Sequence, residues 1–476
     1  MKFPRWYLAI GFSLVFTGCI THGGVARSSV QFNKAVEEGQ NQMLLLNILR
    51  ASRKRPLYLT SFSKVTGSNS ASVEVNVPNG PGKTVKGAFG ANPTFDVPVL
   101  DSQEFTNGFM APVKSSLVGF YWNQDWPEEL LFHLLVQKVL VRVVEEDKTA
   151  KPGKVVTRVN DYYFWNHPDL AELEDGKGLC KLEKFSRWVN YFVAVGNPGF
   201  KPVESTPVGP TYTEQEVKLK NLTTLLKDGF ELTEDGGKYV LNIPSKDYEL
   251  EIAGALSGGD FEQSRRQATQ DIREWTEKST AWQCDPEEHE SFEDEVKDEQ
   301  RPFSRDAMTT GQALDEKGDK KLYVSLFLRS PEAVVYYLGQ LLRVEERYGI
   351  IPRICIDRRL QALFVAQRST QDCAPGVVDA QYDSVWYTIP RTKSELLIGL
   401  PVPEVKSKPS GPDPGCEVKP FELPKGTDKL WIEARELGCE SGRSMQALTL
   451  LNQLINLQKS GKDLPTTGTV RVIGQL

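Results

Sequence analysis

The stretch KKLYVSLFLRSPEAVVYYLGQLLRVEERYG, residues 320–349, contains the clearest structural signals in this chain. The apolar run from Tyr323 to Leu328 predicts a buried strand. Ser330 is a typical helix N-cap, and Pro331 suits the first helical position, where no N–H is needed. The predicted helix carries one apolar stripe, formed by Val334, Val335, Leu338, Leu341 and Leu342. The stretch therefore predicts a strand followed directly by an amphipathic helix.

Segments on the N-terminal side of this stretch carry signals of the same kinds. Residues 57–100 alternate and are rich in Ser, Val, Thr, Asn and Gly, which is typical of strands joined by turns. Residues 32–56 and 179–195 have helical periodicity, and residues 126–146 begin as a helix and become β-branched. We expect an α+β fold of mixed, mostly antiparallel sheets with packed amphipathic helices, arranged as two domains.

The boundaries of these domains follow from changes in composition. Residues 257–320 are poor in apolar side chains and include the acidic run CDPEEHESFEDEVKDEQ, which predicts a flexible linker. The linker would separate an N-terminal α+β domain, residues 31–256, from a C-terminal α+β domain, residues 321–476. Residues 19–30 are small and polar, which is typical of a tether.

The N-terminus has the features of a secretory leader. Lys2 and Arg5 supply positive charge, and the apolar run Trp6–Phe16 has the length of a signal-peptide core and is too short to span a bilayer. The sequence FTGC, Phe16–Cys19, closes the run and resembles the lipobox of bacterial lipoproteins. An ordinary signal peptide with a chance cysteine, or a cytosolic protein with an apolar first helix, are the alternatives.

The resemblance implies a specific maturation. Cys19 would be lipidated, residues 1–18 would be removed as a signal peptide, and acyl chains would hold the protein on a membrane. Ile20 and Thr21 stand where an aspartate would favour retention in the inner membrane, so the resemblance implies the outer membrane. Residues 92–113, followed by WPEELL at 126–131, are also similar to segments of uncharacterised bacterial lipoproteins, a similarity that implies no activity.

The charge and the cysteines agree with an envelope protein. Removing Lys2 and Arg5 leaves 55 basic against 63 acidic residues, a net charge of −8, which argues against a nucleic-acid partner. Six cysteines remain besides Cys19, and an even number in an oxidising compartment predicts disulfides. We favour the pairs Cys355–Cys373 and Cys416–Cys439, because each is close in sequence; Cys180 and Cys284 pair or remain buried thiols.

No catalytic, cofactor-binding or metal-binding residue is assigned from the sequence. None of the four histidines forms a pair at the i, i+4 spacing of a helical zinc site, and neither a nucleophile elbow nor a nucleotide-binding loop is present. Ser61-Phe62-Ser63-Lys64 spells S-x-x-K, the arrangement of penicillin-recognising enzymes, but the partner motif K-T-G is missing.

Two segments, DYYFWNHP at residues 161–168 and QYDSVWY at residues 381–387, concentrate aromatic side chains beside polar ones, as sugar- and peptide-binding faces do. Their candidate ligand-facing residues are Tyr162, Tyr163, Trp165, Trp386 and Tyr387, and core packing explains them equally well. A basic cluster, Arg50, Arg53, Lys54 and Arg55, either complements a helix C-terminus or meets lipid phosphates or an acidic partner.

These observations predict a lipid-anchored protein of the bacterial outer membrane, facing the periplasm or the cell surface. Its expected role is non-enzymatic binding or scaffolding, with a protein or polymer of the envelope as the partner. A periplasmic hydrolase that acts on envelope glycan or peptide is the alternative.

Overall fold

The protein is described here from a computed structural model. It describes residues 30, 33–60, 64–70, 90–96, 100, 102–147, 156–168, 170, 174, 179–202, 206–213, 217, 231–235, 238–243, 248–252, 261–279, 289–294, 308–314, 320–356, 359–368, 378–390, 430–433 and 442–458. The signal peptide and tether predicted for residues 1–30 lie outside these residues, apart from Val30.

Helices and strands alternate irregularly along the chain. The helices are α1 (residues 33–52), α2 (Gln103–Met110), α3 (Ser115–Trp122), α4 (Glu128–Leu135), α5 (Cys180–Gly196), α6 (Phe261–Ser279), α7 (Pro331–Tyr348) and α8 (Ser444–Leu457). The strands are β1 (Lys64–Ser70), β2 (Gly90–Asp96), β3 (Val136–Asp147), β4 (Val156–Trp165), β5 (Pro198–Pro202), β6 (Thr206–Tyr212), β7 (Glu231–Asp235), β8 (Lys238–Ile243), β9 (Tyr248–Ile252), β10 (His289–Asp294), β11 (Met308–Leu314), β12 (Lys320–Leu328), β13 (Ile350–Ile356), β14 (Arg359–Ala362), β15 (Gln367–Arg368), β16 (Val378–Tyr382), β17 (Val385–Ile389) and β18 (Trp431–Glu433).

The expected α+β fold is confirmed. Every strand pair among the described residues is antiparallel. The stretch 320–349 forms the predicted strand and helix, β12 and α7. The Ser330 side chain accepts a hydrogen bond from the Ala333 N–H at 3.0 Å, and all five stripe residues are buried. The predicted change from helix to strand is also observed, because β3 begins at the residue after α4.

The chain divides into two compact units. The first comprises Met1–Phe109, Ala366–Arg391 and Leu448–Leu476, and the second comprises Met110–Val365 and Thr392–Ala447. In the first unit, α1 buries Leu45 and Ile48, and the small sheet has the strand order β15-β17-β16.

A five-stranded sheet of order β10-β4-β3-β12-β11 lies in the second unit. Its inner face, defined by the buried side chains of Val139, Val141, Val324 and Phe164, packs against α5. The ring centroids of Phe164 on β4 and Trp188 on α5 are 5.7 Å apart. The core of this unit therefore lies between the sheet and the helix.

The segment 257–320 differs from the predicted linker. It contains α6 and both edge strands of the five-stranded sheet, β10 and β11. Trp275 of α6 is buried, and its ring stacks on that of Tyr191 at 4.9 Å between centroids. Since β12 pairs with β3, strands from both predicted domains share one sheet, and the two compact units do not follow the predicted boundary.

Candidate functional site

The outer face of the five-stranded sheet is the side of β4, β3 and β12 opposite to the one that packs on α5. Alternation along each strand sends every second side chain to this face, and residues paired across antiparallel strands share it. The strand register arranges nine of these residues in three rows: Trp165–Lys138–Phe327, Tyr163–Leu140–Ser325 and Asp161–Arg142–Tyr323. The outer face therefore interleaves aromatic and cationic side chains on a regular scaffold.

Lys138 occupies the centre of the first row. Its ammonium nitrogen lies 4.2 Å from the ring centroid of Phe327 and 4.8 Å from that of Trp165. The ring centroid of Tyr163, in the neighbouring row, is 5.6 Å away. These distances are within the range of cation–π attraction. Lys138 and the three aromatic side chains are half-buried, so part of each remains accessible to solvent.

Arg142 forms a two-pronged ion pair with the buried Asp161 in the third row. Its Nε donates to one carboxylate oxygen at 2.6 Å, and its Nη2 donates to the other at 2.5 Å. These hydrogen bonds raise the pKa of Arg142, so the pair stays charged. The nine residues carry two positive charges and one negative charge, a net charge of +1.

Ser325 lies between the aromatic residues of β12 on the outer face. Its side chain is 1 % exposed, and its hydroxyl has no hydrogen-bond partner among the described residues. A buried hydroxyl without a partner is uncommon, because losing its hydrogen bonds to water costs about 1–3 kcal/mol. The Ser325 hydroxyl is therefore a buried polar group on this face that forms no hydrogen bond with the described part of the sheet.

The five aromatic candidates from the sequence occupy different environments. Tyr163 and Trp165 lie on the outer face beside Lys138, whereas Tyr162 is buried on the inner side. Trp386 is 52 % exposed in the first unit, and the adjacent Tyr387 is buried. The structure thus brings only Tyr163 and Trp165 of this set together around a charged group.

The predicted basic cluster holds a hairpin of its own unit. Arg53 donates to the hydroxyl of Tyr387 at 3.3 Å, and Arg55 forms a 3.1 Å ion pair with Asp383. Asp383 has a φ of 47° and Ser384 a φ of 66°, values that suit the tight turn between β16 and β17. Intramolecular packing therefore accounts for these two arginines.

His133 and Ser186 form a buried pair in the core of the second unit. His133 Nδ1 lies 2.7 Å from the carbonyl oxygen of Glu129, so it carries the hydrogen, and Nε2 accepts from the Ser186 hydroxyl at 2.9 Å. Burial lowers the pKa of His133 to about 4, which keeps the imidazole neutral. Because both side chains are buried, this serine–histidine contact has no access for a substrate.

A second buried network joins the end of α4 to α7. Arg329 Nη1 donates to the carbonyl oxygens of His133 at 2.9 Å and Val136 at 2.8 Å, and Nη2 donates to that of Asn166. The Asn166 side chain accepts a 3.0 Å hydrogen bond from the hydroxyl of Tyr337. These groups satisfy carbonyls at the point where the helix becomes a strand, which is a structural role.

The predicted disulfides remain predictions. Cys355 is buried in β13 and Cys180 is buried at the first position of α5. Cys19, Cys373, Cys416, Cys439 and Cys284 lie outside the described residues, as does Ser61 of the S-x-x-K motif.

None of the described helices is both long and apolar enough to cross a membrane. Within the same residues there is no group of three or more His, Cys, Asp or Glu side chains that could hold a metal ion.

Lys138 and Phe327 are members of the candidate site that the sequence did not indicate. Phe327 is separated from Trp165 by more than 150 positions, so only the strand register brings the two together.

The chain matches no protein-family model, no curated protein and no solved structure.

Proposed function

We propose that the chain is a bacterial lipoprotein, anchored to the outer membrane through Cys19, that binds a protein or polymer of the envelope without catalysing a reaction. The location is supported by the order of positive charge, short apolar run, small residues and cysteine in the first 19 positions. The binding role is supported by the row Trp165–Lys138–Phe327 on the outer face.

The row supports binding rather than chemistry for two reasons. Aromatic and cationic side chains on a rigid sheet offer flat apolar surface and a positive charge, which are means of recognition. Confinement to a membrane raises the effective concentration of a partner, so modest contacts at such a face suffice. The serine–histidine contact at His133 is buried and gives no support to the alternative of a hydrolase.

Metabolic labelling with a fatty acid tests the anchor. The wild-type chain should incorporate label and sediment with the outer membrane, whereas Cys19→Ala should do neither. Thr21→Ala is the matched control, since it changes a neighbouring residue and keeps the thiol. Equal label in the wild type and in Cys19→Ala would refute the anchor.

Site-specific photo-crosslinking in intact cells tests the face. A crosslinking side chain at Tyr163 should give a defined adduct, and one at the exposed Phe120, outside the sheet, should not. The same adducts from both positions, or none from Tyr163, would contradict a binding role for the outer face.

A further inference from the structure

The outer face combines features that define the chemistry of its ligand. Adjacent strands in a sheet are about 4.8 Å apart, so Trp165 and Phe327, which flank β3 on either side, are about 10 Å apart across Lys138. That span is comparable with the length of a disaccharide, and Tyr163 extends the aromatic surface along the strand direction. Aromatic rings bind the apolar faces of sugar rings.

The charge at the centre of the row adds a second requirement. The ammonium group of Lys138 lies among three rings, and Asp161 on the same face is already paired with Arg142. Among the nine residues, the cation that is not paired with a carboxylate is therefore Lys138, on a protein whose overall charge is negative; the register also places Glu290 of β10 on this face, in the third row beside Asp161. A ligand with an acidic group beside a sugar ring would complement both the rings and the cation.

Ser325 lies on the outer face but is closed to a ligand, because its side chain is 1 % exposed. Its buried hydroxyl lies next to Phe327 along β12 and has no hydrogen-bond partner among the described residues. The contacts assigned to a ligand are therefore those of the half-buried residues Lys138, Tyr163, Trp165 and Phe327.

We infer that the outer face binds a glycan that carries carboxylate groups, with Lys138 contacting the carboxylate and Trp165, Tyr163 and Phe327 contacting the sugar rings. This inference rests on the proposed function, because it names the class of envelope partner. An acidic protein and a neutral glycan are the competing occupants, and each lacks one half of the complementarity.

Three insoluble or immobilised probes separate these occupants. Purified peptidoglycan sacculi carry both sugars and carboxylates, chitin carries N-acetylated sugars without carboxylates, and immobilised polyglutamate carries carboxylates without sugars. The mature chain with Cys19→Ser should co-sediment with sacculi and bind the other two at least about tenfold more weakly. Equal binding to chitin, equal binding to polyglutamate, or no binding to sacculi would each overturn the inference.

Variants at the central lysine test the assigned contact. Lys138→Met keeps most of the unbranched stem and removes the charge, so binding to sacculi should weaken about tenfold. Lys138→Arg should restore most of it, and Lys238→Met, which removes an exposed lysine from a different sheet, should have no effect. Unfolding curves of the variants separate a binding loss from misfolding, and unchanged binding in a folded Lys138→Met would overturn the inference.

The two proposals fail in distinguishable ways. Binding to sacculi by the unlipidated chain is measured without any anchor, so a failure of fatty-acid labelling leaves that result standing. Conversely, labelled and membrane-bound protein that ignores sacculi would retain the proposed anchor and remove only the glycan.

Discussion

The hydrogen bond between Asn166 and Tyr337 gives the most direct test of the core of the second unit. Asn166 is fully buried, and its amide nitrogen donates to the carbonyl oxygens of His133 at 2.8 Å and Val136 at 2.6 Å. Its side-chain oxygen accepts the hydroxyl of Tyr337, which is also buried. We consider Asn166→Leu, which keeps the branched shape and the number of side-chain heavy atoms but has no hydrogen-bonding group.

The expected cost follows from which groups lose their partners. The two carbonyls keep the Arg329 guanidinium as a donor, so the main penalties are two lost hydrogen bonds and an unpaired Tyr337 hydroxyl. At about 1 kcal/mol per net hydrogen bond and 1–3 kcal/mol for a buried unpaired group, Asn166→Leu should lower the free energy of unfolding by about 3–5 kcal/mol. Tyr337→Phe alone should cost about 1.5 kcal/mol, because it leaves the amide oxygen of Asn166 without its donor.

The double variant distinguishes this account from simple packing loss. In the double variant Asn166→Leu/Tyr337→Phe neither the amide nor the hydroxyl is present, so no unpaired hydroxyl remains. Its loss of unfolding free energy should therefore be about 1.5 kcal/mol smaller than the sum of the losses in the two single variants. Urea unfolding of the mature chain with Cys19→Ser, monitored by circular dichroism, measures all three free energies. Tyr336→Phe, at an exposed neighbour on α7, is the matched control and should change stability by less than about 0.5 kcal/mol. Additivity within about 0.5 kcal/mol would refute the hydrogen bond.

Two further predictions concern His133 and the cysteines. The pKa of His133 is about 4 in the folded protein against an ordinary 6.5, so the unfolded chain takes up the proton first and stability falls as the pH drops from 6.5 toward 4. Protonation of His133 should therefore make the free energy of unfolding about 2 kcal/mol lower at pH 5 than at pH 7. In urea titrations, His133→Gln should reduce this difference between the two pH values by about 2 kcal/mol. If the difference is as large in His133→Gln as in the wild type, His133 is not its source. Alkylation of the denatured, unreduced mature protein should leave Cys355, Cys373, Cys416 and Cys439 unmodified, and peptide mapping should join Cys355 to Cys373 and Cys416 to Cys439. A peptide that joins Cys355 to any other cysteine would contradict the pairing.

Local signals in the sequence were sufficient for the elements but not for their partners. The strand and helix of residues 320–349 are specified by apolar spacing, an N-cap and a proline, all within a few positions of one another. The pairing of β12 with β3 joins residues about 180 positions apart and depends on packing, which no local period records.

The segment 257–320 illustrates why composition misdirected the domain boundary. Edge strands have one neighbour, so β10 and β11 can be polar and still belong to a sheet. The helix α6 is rich in charge, and its apolar residues Ala268, Ile272 and Trp275 are buried. Low apolar content therefore predicted a linker where a thin apolar stripe was enough for packing.

The aromatic segment DYYFW shows the corresponding limit for the candidate site. Alternation normally separates the two faces of a strand, but Tyr162, Tyr163, Phe164 and Trp165 are all aromatic, so the sequence hides which of them face inward. The register with β3 decides it: Tyr162 and Phe164 face the core, and Tyr163 and Trp165 lie with Lys138.

The energetics of Lys138 bear on whether its row serves the fold or a ligand. Cation–π contacts at partly exposed sites contribute about 0.5–1 kcal/mol each, whereas burying an apolar side chain between two rings contributes about 1.5–3 kcal/mol. An apolar residue between Trp165 and Phe327 would therefore stabilise the sheet about as well as the lysine does. Lys138→Met should accordingly leave the free energy of unfolding within about 1 kcal/mol of the wild-type value in urea titrations. A loss of 3 kcal/mol or more would make the cation a structural element and remove the energetic reason for assigning its charge to a ligand.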